Sequence, residues 1–315
     1  MGHTVVIGTT FVDVKGVPKG AYDPQGRNVG DVKIVHGGVG RNVAENFANV
    51  GKPVSFVGTM EDSAFGRDVR RRLLERGVNL DYAPQASDNG IGMWLVILDE
   101  NGDLAGSISK MPELDLLEEH LSREIDTIAA GADAIVLELD LNERIAEVVV
   151  DAAKRHGKPL YAIVGNMSVV LSRKDLVKQT DCFICNNIEA SKLFEDKAVL
   201  DFSAPEMLEF LPSAAGAAGI ASMVVTMGEK GAVYYDGQAN DSGICPPYST
   251  EVVDTTGAGD AFFSGTVAAL VRGCALSDAV RYGARLASAT IGVEEANCPV
   301  DKDFFNRRQT MLGGD

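Results

Sequence analysis

The chain has 315 residues, 45% of them apolar, five cysteines and a formal net charge of −16. That length suits one large domain or a core with a small appendage, and the acidity argues against a surface that must neutralise the phosphates of a nucleic acid polymer. Without a long apolar run or a basic leader, the sequence predicts a soluble cytoplasmic protein with no membrane partner.

The first predicted strand is the apolar run Val5-Val6-Ile7-Gly8, followed by Thr9 to Asp13. Open α/β sheets bind ligands just past their strand ends, which makes Asp13 a candidate for holding substrate hydroxyls; a simple turn aspartate is the alternative. Residues 14–36 carry Pro18, Gly20, Pro24, Gly26 and Gly30 and then an alternating run to His36, which is strand and turn chemistry without helices. Gly37-Gly38-Val39-Gly40-Arg41-Asn42 leads into a helix that Gly51 ends. Backbone can approach a ligand at the Gly-Gly turn, and the Asn42 amide suits hydroxyl recognition.

Val54 to Val57 is a strand, and Asp62-Ser63 starts a helix stopped by Gly77 whose run Arg67 to Arg72 reads as a solvated face. The runs Ile91 to Leu98 and Leu104 to Ile108 flank Asp99-Glu-Asn-Gly-Asp103, a hairpin signal. From about Leu116 helices alternate with short apolar strands at 134–137, 160–164, 182–185 and 223–226, which predicts a parallel sheet with helices on both faces. Cys182 and Cys185 form a C-x-x-C within a strand, where an offset of three sends the side chains to opposite faces, so buried cysteines are favoured over a redox or zinc pair. The four histidines show no metal-ligand spacing.

Two groups follow later strand ends. Asn186 and Glu189 offer oxygens to a hydrated Mg²⁺ bridging ATP phosphates, and Thr226 with Gly228 in the stretch to Gly231 offers a hydroxyl and backbone to the nucleotide. An ordinary helix cap or turn is the alternative for each, and for Thr226 to Gly228 on its own the favoured reading. Finally Val252-Val253 reads as a strand running into Asp254-Thr-Thr-Gly-Ala-Gly-Asp260 and a buried helix from Ala261 to Val271. Gly257 and Gly259 free the backbone, so the N–H groups of Ala258, Gly259 and Asp260 can converge on a phosphate at the positive helix end. A carboxylate there repels the ligand unless chemistry needs it, so Asp260 reads as the base that deprotonates an alcohol attacking the γ-phosphorus of ATP; helix capping is the alternative.

Together these segments resemble the ribokinase/PfkB family of carbohydrate and nucleoside kinases across nearly the whole chain. Within it, Gly37-Gly-Val-Gly-Arg-Asn42, Glu294-Glu-Ala-Asn-Cys-Pro299 and Gly231-Ala-Val-Tyr-Tyr-Asp236 are most similar to pseudouridine kinases. The resemblance implies a ribokinase-like α/β fold, a central mostly parallel sheet flanked by helices with a small β-sheet lid. The expected core is 1–13, 37–90 and 111–315, and the lid 14–36 and 91–110. It implies Asp260 as base, Gly257, Ala258 and Gly259 as anion hole, and Asp13, Gly38 and Asn42 on ribosyl hydroxyls. Asn186 and Glu189 would position Mg²⁺ and phosphate, Thr226, Gly228 and Gly231 would meet ATP, and Asp254 with Thr256 would line a loop for a monovalent cation such as K⁺. The expected reaction is ATP- and Mg²⁺-dependent phosphorylation of the 5′-hydroxyl of a ribosyl compound, pseudouridine first. Ribose, another nucleoside or a sugar acid is the alternative, and a non-catalytic sugar or nucleoside sensor the rival of another class. The lid is also expected to pair two subunits in a homodimer. One departure stands out: Ile163-Val-Gly-Asn166 lacks the acidic residue many family members carry after that strand.

Overall fold

A computed structural model describes residues 2–306; residue 1 and residues 307–315 of the expected core lie outside the described residues. The chain opens with β1 (Thr4–Ile7), β2 (Phe11–Pro18) and β3 (Gly30–Gly37) and then forms the helix Val39–Asn49. β4 (Val54–Val57) follows, then the two-residue strands β5 (Met60–Glu61) and β6 (Gln85–Ala86) around the helix Ala64–Arg76, then β7 (Gly92–Leu98) and β8 (Leu104–Lys110). Beyond that, helices alternate with β9 (Ala134–Glu138), β10 (Leu160–Ile163), β11 (Cys182–Asn186) and β12 (Ser222–Thr226). The hairpin β13 (Ala232–Asp236) and β14 (Asp241–Cys245) precedes the helices Ala258–Leu270 and Leu276–Ile291.

Eight strands form one sheet in the order β14-β13-β12-β11-β10-β9-β1-β4. Its pairs from β4 across to β12 are parallel and the β13 and β14 pairs antiparallel. The mostly parallel sheet expected from the strand and helix alternation is therefore present. Val6, Ile7, Ile135, Val136 and Leu137 are wholly buried because helices cover both faces, which is why these strands read as unbroken apolar runs. Each face has its own apolar layer, and Cys182 and Cys185 belong to opposite ones. Among the described residues no helix is long and apolar enough to cross a membrane.

The other large element is a four-stranded sheet, β3-β2-β7-β8. Its β7–β8 turn is the hairpin expected at Asp99–Asp103: Gly102 has φ 86°, and Asp99 Oδ1 accepts the N–H groups of Asn101 and Asp103. β2 starts at Phe11, so Asp13 lies within the small sheet rather than on the connection before it.

Two expectations need correcting. Val252 and Val253 form no strand; they are 60% and 53% exposed, and the N–H groups of Val253 and Asp254 turn instead to the Ile291 carbonyl at 2.8 and 3.3 Å. The two valines lie along the end of a helix and stay more than half exposed. Nor is the arginine run after Asp62 wholly a solvated face, because Arg72 Nε donates to the buried Glu45 at 2.8 Å.

Candidate active site

The C-terminal end of the large sheet is held together by Glu138, the last residue of β9. Its carboxylate accepts the Thr9 N–H at 2.8 Å, the Thr9 hydroxyl at 3.0 Å and the Gly40 N–H at 3.1 Å. β1, β9 and the start of the helix Val39–Asn49 are thus joined at one buried point. Gly38, with φ 96°, makes the turn into that helix; a Cβ there would lie 2.6 Å from the Thr9 carbonyl oxygen. Burial pushes the Glu138 carboxyl above its ordinary range, against the hydrogen bonds from Thr9 and Gly40.

Asn42 is buried one turn into this helix, and its Nδ2 donates to Asp260 Oδ2 at 2.6 Å. The two motifs, 218 residues apart in sequence, meet in this one bond. Asp260 occupies the third position of the helix Ala258–Leu270, whose N-cap Gly257 is left-handed with φ 78° and has a Cβ site only 2.0 Å from the Ala296 carbonyl oxygen. No side chain caps that end. The Ala258 N–H is taken by the Thr255 carbonyl at 3.3 Å, so the N–H groups of Gly259 and Asp260 are those left facing outward with the positive end of the helix. Asp260 keeps some surface open to the cleft, yet its surroundings desolvate the carboxylate and push it up to about 7, with Asn42 opposing and Glu138 adding to the shift.

Asp13 lies on β2, next to Gly37, where a Cβ would come within 2.7 Å of its carboxylate. Desolvation raises the Asp13 carboxyl, with Lys15 and Arg41 opposing. Arg41 itself is fully buried and donates from all three nitrogens: Nε to the Gly37 carbonyl, NH1 to Glu45 and Asn297, NH2 to the His36 carbonyl and Asn42 Oδ1. Asn297 returns Nδ2 to the Asn42 carbonyl at 3.0 Å. These bonds hold Asn42 in place behind Asp260.

On the other side of the anion turn lies a cavity of about 510 Å³ lined by Thr226, Gly228 and Gly231 together with Tyr248, Ala258, Gly259, Phe262 and Ser288. Thr226, Gly228 and Gly231 therefore share a hollow with the start of the Asp260 helix. Gly228 and Gly231, at φ 59° and 88°, let the chain turn without a side chain entering it. Asn186 and Glu189 form a reciprocal capping box: Asn186 Oδ1 accepts the Glu189 N–H at 2.9 Å and Glu189 Oε2 accepts the Asn186 N–H at 2.8 Å. The capping alternative is thus present, and it leaves Glu189 Oε1 open. Desolvation raises the Glu189 carboxyl, and Asp140 adds to it. At the strand end lacking an acidic residue, Asp140 itself accepts the N–H groups of Gly165, Asn166, Met167 and Val169, so that backbone cradle is already filled.

Asp254 Oδ1 accepts the Thr256 N–H at 2.8 Å, and its Oδ2 lies 3.8 Å from the Lys15 ammonium, which also meets Thr256 Oγ1 at 3.3 Å. Among the described residues no three His, Cys, Asp or Glu side chains cluster closely enough to hold a metal ion. Sequence reasoning missed Glu138, Lys15 and Asn297. Glu138 carried the same signal as Asp13, an acid at the end of an apolar strand; Asn297 lay in the quoted motif Glu294 to Pro299 without a role, and Lys15 had no signal, since each acts across more than 200 residues of chain.

The sequence pattern of the pfkB family carbohydrate kinases matches residues 1–303. The chain is 35% identical over 295 residues to the guanosine-inosine kinase of Exiguobacterium acetylicum, covering 94% of this chain and 96% of that one. It is 24% identical over 297 residues to the pseudouridine kinase of Escherichia coli K12, covering 94% and 93%. The fold matches that of Arabidopsis thaliana ribokinase, a structure complexed with ribose and ATP, with a TM-score of 0.81 over 97% of this chain and 98% of that one at 22% identity.

Proposed function

The chain belongs to the pfkB family of carbohydrate kinases, and from that premise we propose that it transfers the γ-phosphoryl group of ATP to the 5′-hydroxyl of a nucleoside. The purine nucleosides guanosine and inosine come first as acceptors and pseudouridine second, because identity is 35% to the guanosine-inosine kinase and 24% to the pseudouridine kinase. The observation that carries the reaction type is the Asn42–Asp260 hydrogen bond at a bare helix N-terminus. A carboxylate raised to about 7 is a competent base near neutral pH, and the Gly259 and Asp260 N–H groups face where charge develops on the transferred group. A sensor of the same ligands has no use for a desolvated base.

In this reading Asp13, Gly38 and Asn42 hold the ribosyl hydroxyls, Asp260 takes the 5′-hydroxyl proton, and ATP occupies the cavity along Thr226, Gly228 and Gly231. Gly257 sets the turn, and Ala258 and Gly259 line the phosphate side. Trp94, the only tryptophan, supports a nucleoside over a free sugar. It is half-buried and is the Cα partner of Asp13 on the adjacent strand, so both side chains leave the same face of the small sheet. That face carries Lys15 to Thr256, so it looks onto the anion turn, and a base attached to a sugar held by Asp13 falls within reach of the indole.

Mg²⁺ fits the donors present: Glu189 offers one open carboxylate oxygen, and Mg²⁺ usually keeps several waters and completes its shell with nucleotide phosphates. When bound it neutralises charge on those phosphates. A monovalent cation at the Asp254–Thr256 loop would meet a carboxylate already facing the Lys15 ammonium, so carbonyl oxygens would have to supply most of its shell. The small sheet acts as the lid. Its outer face shows Ile34, Leu95 and Ile108, at 55%, 41% and 70% exposure, in one cross-strand row with Val14, an apolar surface suited to a second copy of the chain. Five free cysteines support a reducing, cytoplasmic setting.

The deciding assay is ADP release from ATP and Mg²⁺ with guanosine, inosine, pseudouridine, uridine and ribose in parallel. Guanosine and inosine should turn over fastest. Faster turnover of pseudouridine or ribose would replace the acceptor and keep the reaction, whereas silence with every acceptor would remove the kinase assignment.

A further inference from the structure

Acidic side chains crowd the anion turn: Glu138 and Glu189 lie close enough to raise the Asp260 carboxyl, and Asp254 lies three residues before Gly257. A triphosphate and a transferring phosphoryl group need positive charge there in addition to backbone N–H groups. Among the described residues two cations contact this region directly, Arg41 at Asn42 and Lys15 at Thr256, while Lys33 and Lys192 act on Asp254 and Glu189 only through space. Arg41 has five N–H donors, and all five are bonded within the protein, to Gly37, Glu45, Asn297, His36 and Asn42. It holds the site together and has nothing left for a ligand.

Lys15 differs in each respect. Its ammonium has three donors, one hydrogen bond of 3.3 Å to Thr256 Oγ1, and a contact of 3.8 Å to Asp254 that is longer than a hydrogen bond. Its side chain is 19% exposed, so it is neither sealed in nor loose in solvent. Thr256 directly precedes Gly257, and Lys15 leaves the same face of β2 as Asp13, two residues on.

We propose that Lys15 is a catalytic residue of phosphoryl transfer, its ammonium passing from Thr256 and Asp254 to an oxygen of the transferred phosphoryl group when nucleotide is bound. The proposal rests on the kinase reading above. In the step, a bond forms between the 5′-oxygen and phosphorus, the bond from phosphorus to the ADP oxygen breaks, and the hydroxyl proton goes to Asp260. Lys15 keeps its proton throughout and contributes charge alone. Because Lys15 is carried by the small sheet, that charge reaches the phosphoryl group only when the sheet lies against the core, which joins closure to chemistry.

Calorimetric titration of the wild-type protein, Lys15→Met and Lys15→Arg with Mg²⁺ and either AMP-PCP or ADP tests this, alongside kcat at saturating substrates. Lys15→Met should lose about tenfold of the preference for AMP-PCP over ADP while binding ADP within about twofold of wild type, as one charge-assisted contact to the γ-phosphate predicts. Its kcat should fall about a hundredfold, and Lys15→Arg should recover part of both. An unchanged AMP-PCP to ADP ratio with kcat near wild type overturns the proposal. So does an equal loss of both affinities at unchanged kcat, which is what a purely structural tie would give. Wild-type protein that binds neither nucleotide points instead to failure of the kinase reading.

Discussion

Replacing Asp260 by Asn separates the base from the structure around it. The amide keeps the carboxylate's size and can still accept the Asn42 Nδ2 hydrogen bond, 2.6 Å in the native site. What it loses is the ability to take a proton, and a general base contributes about 10²–10⁴ in rate. Stability should move the other way. The native carboxyl binds its proton more tightly in the folded state, near 7 against 3.8 unfolded, so the folded protein loses stability as pH rises between those values and stays at the lower level above them. Ionising Asp260 in place therefore costs about 1–4 kcal/mol at pH 8, the upper figure being the whole interval and the lower one allowing for solvent in the cleft. Asp260→Asn should be more stable than wild type by that amount at pH 8 and by almost nothing near pH 4. Urea denaturation at both pH values reads the difference, and coupled ADP release reads the rate. In the wild type, kcat/KM should climb as pH rises through about 7, the range in which the base ionises. Turnover within tenfold of wild type, or a stability gain that does not grow with pH, would refute the argument that Asp260 is a desolvated base.

Other outcomes follow from the same geometry. Gly257→Ala forces a Cβ to within 2.0 Å of the Ala296 carbonyl in a left-handed conformation, so it should lower the melting temperature and abolish nucleotide binding together, measured by thermal denaturation with and without ADP. As the only tryptophan, Trp94 makes intrinsic fluorescence a direct probe: guanosine should quench or shift it and ribose should not, and Trp94→Ala should raise the nucleoside KM about tenfold with little effect on kcat. Wild type should sediment as a dimer and Ile34→Asp, on the exposed outer face of the small sheet, as a monomer of unchanged melting temperature, read by sedimentation velocity and thermal denaturation.

The amino-acid order alone determined the repeating strands and helices, because strands buried on both faces need unbroken apolar runs and the crossover helices need a 3.6-residue period. Ser63 and Gly77 as the ends of one helix and the turn after Leu98 were equally legible, since caps and hairpins are contacts between near neighbours. Asp260 could be singled out because a carboxylate behind Gly-Ala-Gly is chemically odd wherever it occurs. Its proton affinity could not, since that follows first from burial by elements distant in sequence, with Asn42 opposing the shift and Glu138 adding to it. Val252 and Val253 misled for a related reason: two adjacent valines favour a strand only where another strand stands beside them, and here a helix end does. Asn186 and Glu189 read as ligands with a cap as the alternative, and the tertiary structure showed the cap in place with one carboxylate oxygen left open. The roles of Arg41, saturated, and Lys15, nearly unbonded, were set only by folding, because a cation's partners depend on which backbones close around it.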